Sequence, residues 1–294
     1  LWNFKFLLPP LNEQKRIVSK IEELFSKIYS AKQTLERTKL QLEQYRHSLL
    51  KSAFEGKLTE QWRENNNESE EWTKRKIDDI AELIGGGTPS RKIPEYFDGD
   101  IVWLTPTEIP KNTITVISDS REKITELGLK KSSAKIIPKD SVLLTSRASI
   151  GYVAISGGNV TTNQGFASFI CSDVISNYFL AYWLWSKKTF LESKATGTTF
   201  KEISKSKLRE IDILIPPQDE QKRIVSKIEE LFSKIDSTKK SLEHTKLQLV
   251  QYRQSLLKSA FEGKLTEKWR DNNGVVDSIS KLLEQKQNKN RKNQ

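Results

Sequence analysis

The residues able to do chemistry are few, and each has a simpler duty. Three glycines, Gly85–Gly87, suggest a phosphate cradle, but Thr88, Pro89 and Ser90 follow where a nucleotide loop needs Gly-Lys-Ser/Thr. The pairs Pro9-Pro10 and Pro216-Pro217 follow Leu8 and Ile215. An adenine methyltransferase's base-holding motif would have Asn or Asp there. His47 and His244 are not repeated by histidine at the corresponding positions, Gln254 and Arg37, and both fall in expected helices. No histidine base or metal cluster is visible. Asp212, Glu220 and Lys222 could be drawn as a nuclease centre. However, Glu13 and Lys15 recur with Lys5 in place of the aspartate, and acidic residues favour helix starts in any case. The lone Cys171, in the strand-like run FASFIC, reads as an inert core thiol. No catalytic residue, metal site or cofactor is expected.

Charge points instead to a polyanion. The 294 residues carry 49 Lys+Arg against 38 Asp+Glu, a formal net charge of +11. Between Lys76 and Asp212 the balance is only 18 basic to 16 acidic, yet Lys187 to Arg209 holds seven basic and two acidic residues. Lys187, Lys188, Lys194, Lys201, Lys205, Lys207 and Arg209 could follow a phosphate backbone, or form an ordinary solvated face. Lys123, Lys130, Lys131, Lys135 and Lys139 make a second basic group. No apolar stretch approaches the roughly 18 residues of a membrane span, and no signal peptide is recognisable. With one cysteine and therefore no internal disulfide, the expected location is the cytoplasm.

The elements that must position these residues are organised by a repeat. LLPPLNEQKRIVSKIEELFSKI from Leu7 returns as LIPPQDEQKRIVSKIEELFSKI from Leu214, 207 residues on, and the match runs to about Asn66 and Asn273. Agreement extends to surface positions, which suggests recent duplication or gene conversion. Ile17, Ile21, Leu24, Ile28, Ala31, Leu35, Thr38, Leu42, Tyr45 and Leu49 alternate spacings of four and three, as do their counterparts from Ile224 to Leu256. This is a coiled-coil seam. Each helix is expected to start after its proline pair, capped by Asn12 or Asp219, and to stop near Gly56 or Gly263. A second stripe, Val18, Phe25, Leu50 and Phe54, either seals the pair of repeats or receives helices of another subunit. Between the repeats, short β-type runs begin at Ile101, Val142, Tyr152, Phe166 and Ile211, with one amphipathic helix expected from Asn177 to Lys194.

Three blocks carry a resemblance: WTKRKIDDIAELIGGGTPSRKIPEYFDGDIVWLTPTEI at the entry of the middle segment, ASIGYVAI and TNQGFASFI within it, and GTTFKEISKSKLREIDILIPPQDEQKRIVSKIEELFSKID at its exit. Together they resemble the DNA-specificity subunits of type I restriction-modification systems, over nearly the whole chain. The resemblance implies an α+β protein: one mixed α/β target-recognition domain plus two long helices forming an antiparallel coiled coil. The opening LWNFKFLLPP aligns at the same 207-residue offset with LREIDILIPP, so residues 1–8 are expected to be a remnant strand of a preceding recognition domain, with coiled-coil repeats at 9–71 and 216–274, the recognition domain at 72–215 and a basic polar tail at 275–294. The protein would be non-catalytic. It would read one half of a bipartite target in double-stranded DNA and scaffold methyltransferase and restriction subunits, with a homodimer through the coiled coil also open and no membrane partner. Base reading calls for polar side chains able to make paired hydrogen bonds. The turn residues Thr88, Ser90, Arg91, Lys92, Thr105, Thr107, Ser146, Arg147, Asn163, Gln164, Thr198, Thr199 and Lys201 are the candidates, with turn-forming duty as the alternative for each. Competing readings are a stand-alone dimeric DNA-binding regulator and a coiled-coil adaptor whose middle domain binds protein.

Overall fold

A computed structural model describes residues 8–66, 71–197 and 200–273. Residues 1–7 of the expected remnant strand and the expected tail lie outside these. The helices are α1 (Leu11–Phe54), α2 (Glu60–Asn66), α3 (Glu126–Lys130), α4 (Asn177–Ser186), α5 (Lys188–Lys194), α6 (Lys205–Arg209), α7 (Gln218–Phe261) and α8 (Glu267–Asn273). The strands are β1 (Thr73–Lys76), β2 (Ala81–Gly85), β3 (Phe97–Leu104), β4 (Val116–Ile117), β5 (Lys123–Ile124), β6 (Val142–Thr145), β7 (Val153–Ser156), β8 (Thr161–Thr162), β9 (Phe166–Cys171) and β10 (Asp212–Ile215). The protein is thus α+β. By internal contacts it divides into one unit of residues up to 44 with those from 234 on, and another of residues 45–233.

In the first unit α1 and α7 run antiparallel. Lys39 pairs with Glu243 at 2.6 Å, Glu36 with Lys246 at 2.5 Å and Glu43 with Lys239 at 2.5 Å, so position rises along one helix as it falls along the other. These pairs flank the heptad seam, where Ile28 and Ile235 are buried and most other seam residues half-buried, as two helices alone can manage. The helices begin directly after Pro10 and Pro217, two residues before the starts that caps at Asn12 and Asp219 would give. Proline's fixed φ suits the start of a helix, and the Pro10 carbonyl already accepts from Glu13 N and Gln14 N, both at 2.9 Å. Asn12 and Asp219 therefore lie inside the first turn and are not caps.

Each long helix ends on a left-handed glycine, Gly56 (φ 76°) and Gly263 (φ 72°), where a side chain would be strained. The chain then turns into a short helix that supplies a latch. In the second unit the buried Glu220 carboxylate accepts from Thr59 Oγ1 at 2.6 Å, from Arg63 Nη1 and from Trp72 Nε1 at 2.9 Å. In the first unit Glu13 accepts from Thr266 Oγ1 at 2.6 Å and from Arg270 Nη1. Each arginine also donates to its glycine's carbonyl, Arg63 to Gly56 at 2.7 Å and Arg270 to Gly263 at 2.6 Å. The two latches are the same residues 207 positions apart.

The mixed domain of the second unit is built on a five-stranded sheet in the order β2-β9-β6-β7-β4, antiparallel except for β4 beside β7. A three-stranded sheet, β5-β3-β8, and the pair β1-β10 complete it. Leu104, Ile137, Leu143, Ala154, Val160 and Phe166 form one core cluster. The single helix expected from Asn177 to Lys194 is two, broken at Lys187, whose N–H is shared between the Trp183 and Leu184 carbonyls at 3.1 Å each. The break follows from burial. Residues 179–184 of α4 are all buried, so it is apolar on every side, whereas α5 buries only Leu191.

One face of α4 meets β6 and β7, and the other meets aromatic residues of the repeats. Phe54 stands edge-on to Phe179 at 5.3 Å, and Phe232 edge-on to Tyr182 at 6.0 Å and Trp185 at 5.7 Å. Gln221 locks the loop before α4, accepting from Ser176 N at 2.8 Å and donating to Val174 O at 3.0 Å. The equivalent face, made by the start of repeat 1 and the end of repeat 2, is open. Phe261, the counterpart of Phe54, is 84% exposed against 9%, and Ile17 and Ile21 are half-buried where Ile224 and Ile228 are fully buried. Of the second apolar stripe, Leu50 and Phe54 are buried, with Phe54 against Phe179 of α4, whereas Val18 is 52% exposed.

Candidate nucleic-acid interface

Strand register brings distant loops together. Gly85 at the end of β2 lies opposite Ala167 near the start of β9, and Phe166 lies opposite Thr145 at the end of β6. The loops leaving these ends are tied edge to edge by backbone bonds. Gly87 N donates to Thr162 O at 2.8 Å, Asn163 N to Leu104 O at 2.9 Å, Ser146 N to Gly165 O at 2.8 Å and Ala148 N to Lys201 O at 2.9 Å. A Cβ on Gly86 would sit 2.1 Å from Asn163 O and 2.3 Å from Thr162 O, so only glycine permits this approach. The result is a linked surface at one end of the domain that gathers Thr88, Thr105, Thr107, Ser146, Arg147, Asn163, Gln164 and Lys201.

These side chains are not equally free. The Thr88 hydroxyl donates to Gln164 Oε1, orienting an exposed amide whose NH2 remains available. Asn163 Oδ1 closes its own turn by accepting from Gly165 N at 2.8 Å. Thr105 caps a short turn, donating to Glu108 Oε2 at 2.9 Å, and leaves Thr107 exposed beside it. Ser146 is only 4% exposed and bonds Gly165 O at 3.3 Å, a structural duty. Arg147 stands 3.6 Å from Glu202. Arg91 is held bidentate by Glu122 at 2.6 and 2.7 Å, over the rings of Phe97 (4.9 Å) and Trp103 (5.3 Å). That guanidinium holds the Glu122 carboxyl below the usual carboxylate range. Ser90 and Lys92, on the same turn, are exposed. Thr198 and Thr199 lie outside the described residues.

The basic run does not form one surface. The Lys205 side chain lies across Gly85, close to the gathered loops. Lys187, Lys194 and Lys207 instead line a groove of about 760 Å³ that also contains Glu210 and Asp212. Arg209 is engaged by Asp78 at 3.2 Å. Sequence reading missed the aromatic members. Tyr152 lies between Lys188, 4.2 Å from its ring, and Lys111, 6.0 Å from it, and Phe200 stands exposed beneath Arg147. For Phe200, an aromatic residue beside Lys201 in a polar stretch was the available signal.

The drawn nuclease centre does not assemble. Glu220 is consumed by its latch, Asp212 pairs with Lys74 at 2.8 Å, and Lys222 pairs with Asp219 at 3.1 Å. Among the described residues no three His, Cys, Asp or Glu converge as metal ligands, and no helix is long and apolar enough to cross a membrane. Burial pushes the Cys171 thiol up to about 12.

Residues 69–246 match the family model described as the type I restriction modification DNA specificity domain, and the chain belongs to that family. It is 42% identical over 177 residues to the type I restriction enzyme MjaIX specificity subunit of Methanocaldococcus jannaschii, covering 59% of this chain and 40% of the relative. Against the EcoBI specificity subunit of Escherichia coli it is 27% identical over 303 residues, 94% of this chain and 62% of the relative. The chain thus spans about two-fifths to three-fifths of these relatives' lengths. Among solved structures, a chain from a study of complex assembly and conformational transition in a type I R-M system aligns with a TM-score of 0.67 at 21% identity, over 87% of this chain and 61% of the other. The HsdS subunit from Thermoanaerobacter tengcongensis aligns with a TM-score of 0.58 at 20% identity, over 87% and 60%. Both share the fold.

Proposed function

We propose that residues 72–215 read one half of a bipartite target in double-stranded DNA, and that the paired repeats, 9–71 and 216–274, fix the distance to a second reader. The observation that carries this reading is the gathering of loops remote in sequence onto one rigid end of the domain, where exposed polar side chains stand among cations. Gln164, oriented by Thr88, is the best-placed base reader, since a fixed amide can donate and accept along a base edge. Lys92 and Lys201 supply phosphate contacts, which position the protein without specifying sequence. The chain itself does no chemistry in this reading. It brings methyltransferase subunits, and restriction subunits where present, to the site in the cytoplasm.

The place for the second reader is the open face made by the start of repeat 1 and the end of repeat 2, where Phe261 is exposed and Ile17 and Ile21 are only half-buried. Residues 1–8 align at the same offset of 207 with residues 208–215. The test is to exchange residues 72–215 for the equivalent segment of a relative, co-express the hybrid with the methyltransferase subunit, and sequence the methylated sites. One half-site changes while assembly is retained. An unchanged target refutes the assignment.

A further inference from the structure

Phe200 is 57% exposed, more than any other described phenylalanine of the mixed domain. Thr196 and Glu202 exchange backbone bonds at 2.9 and 2.8 Å and close the base of the loop. Lys201 O accepts from Ala148 N at 2.9 Å and Ser146 O accepts from Ile203 N at 2.9 Å, while Ile203 is buried to 1% exposure. Ala148 holds a left-handed backbone, φ 61°, a conformation that costs a non-glycine residue energy and that its bond to Lys201 helps maintain. Two segments are therefore locked together, and an apolar ring is displayed at their edge.

The ring stands beside two cations, one of which, Arg147, is 3.6 Å from Glu202. The Arg147 guanidinium stands 5.9 Å from the ring centroid, and the next residue along the chain, Lys201, is exposed. The same pair of segments is joined through Ser146 and Gly165 to the turn that carries Gln164. An apolar pocket on a protein partner would be met by apolar neighbours, but the described neighbours of the ring are Arg147 and Lys201. A ring between cations matches a duplex, in which stacked base faces lie between rows of phosphates.

We propose that Phe200 is a wedge that enters between two base pairs at the border of the sequence being read, while Arg147 and Lys201 hold the flanking phosphates. This rests on the reading of the domain as a DNA reader and adds a distinct contact to it. Unstacking one step bends the duplex, and steps that open easily are favoured there, so Phe200 contributes preference without a hydrogen bond to any base.

The experiment uses the intact chain and a duplex selected from a random-sequence pool by its binding to that chain. The fluorescent analogue 2-aminopurine replaces adenine at successive positions, and its emission rises where stacking is lost. The wild type raises emission at one step. Phe200→Ala abolishes the rise and weakens binding about tenfold, the loss of one stacked contact. Phe200→Trp restores both. Lys201→Ala keeps the rise but lowers the slope of log affinity against log salt by about one. If Phe200→Ala retains both affinity and the rise, or if the wild type produces no rise, the wedge is refuted and the DNA-reading assignment stands. A wild-type chain whose binding is insensitive to salt overturns that assignment and the wedge with it.

Discussion

The two latches offer a controlled perturbation, because one molecule contains the same residues in two environments. Consider Glu220→Ala and Glu13→Ala. In the first, the lost carboxylate is 2% exposed and its arginine, Arg63, 24% exposed. Removing one partner of a buried pair costs about 3–5 kcal/mol, and the partial access of water to Arg63 places this case near 3. Thr59 and the Trp72 indole also lose an acceptor, adding about 1 kcal/mol. In the second, Arg270 is 38% exposed and no indole bond to Glu13 is described, so the expected loss is about 2 kcal/mol. Urea unfolding followed by tryptophan fluorescence and circular dichroism measures both. The cycle of Glu220→Ala with Arg63→Ala isolates the ion pair, with an expected coupling of about 2–3 kcal/mol. Equal losses for the two glutamates, or a coupling below about 0.5 kcal/mol, would show that burial does not set the strength of the latch.

Phe54→Ala and Phe261→Ala, at equivalent positions, should diverge: about 3 kcal/mol for the sealed Phe54 and within about 0.5 kcal/mol for the exposed Phe261, read from thermal unfolding. Leu35→Asp with Leu242→Asp places two charges in the half-buried seam and should lower helicity and the melting temperature together, and unchanged melting would rule out the pairing described. The Cys171 thiol ionises near 8.5 in an unfolded chain but only at about 12 when folded, so its contribution to stability is complete below about pH 8.5 and is lost as pH rises. Cys171→Ser should therefore flatten the fall in stability between about pH 9 and 10, where the slope from this group approaches 1 kcal/mol per unit.

The long helices were legible because their apolar spacing is periodic and their ends carry proline and glycine. The strands at Val142 and Phe166 were legible as apolar runs. Strand β1, TKRK, was not: all four residues are exposed, and it is a strand only because β10 pairs with it from Ile215 to Asp212. The break at Lys187 escaped because both halves continue a helical pattern, and only burial on every side of α4 separates them. At the candidate interface, residue types were readable but their availability was not. Nothing local tells that Glu122, 31 residues away, occupies Arg91, or that Thr88 reaches Gln164. The open face, from the start of repeat 1 and the end of repeat 2, has nearly the same residues as its sealed twin, so no reading of the repeat alone could distinguish them.

The antiparallel seam has a further consequence. Lys39 meets Glu243, and their repeat counterparts, Lys246 and Glu36, meet each other. The helix is largely complementary to its own reversed copy. Such an interface encodes direction and register but not ownership. Within one molecule, tethering favours self-pairing up to an effective concentration on the order of millimolar. When two chains share these helices and differ only between them, neither can tell the other's helix from its own, so heterologous pairs form as readily as homologous ones.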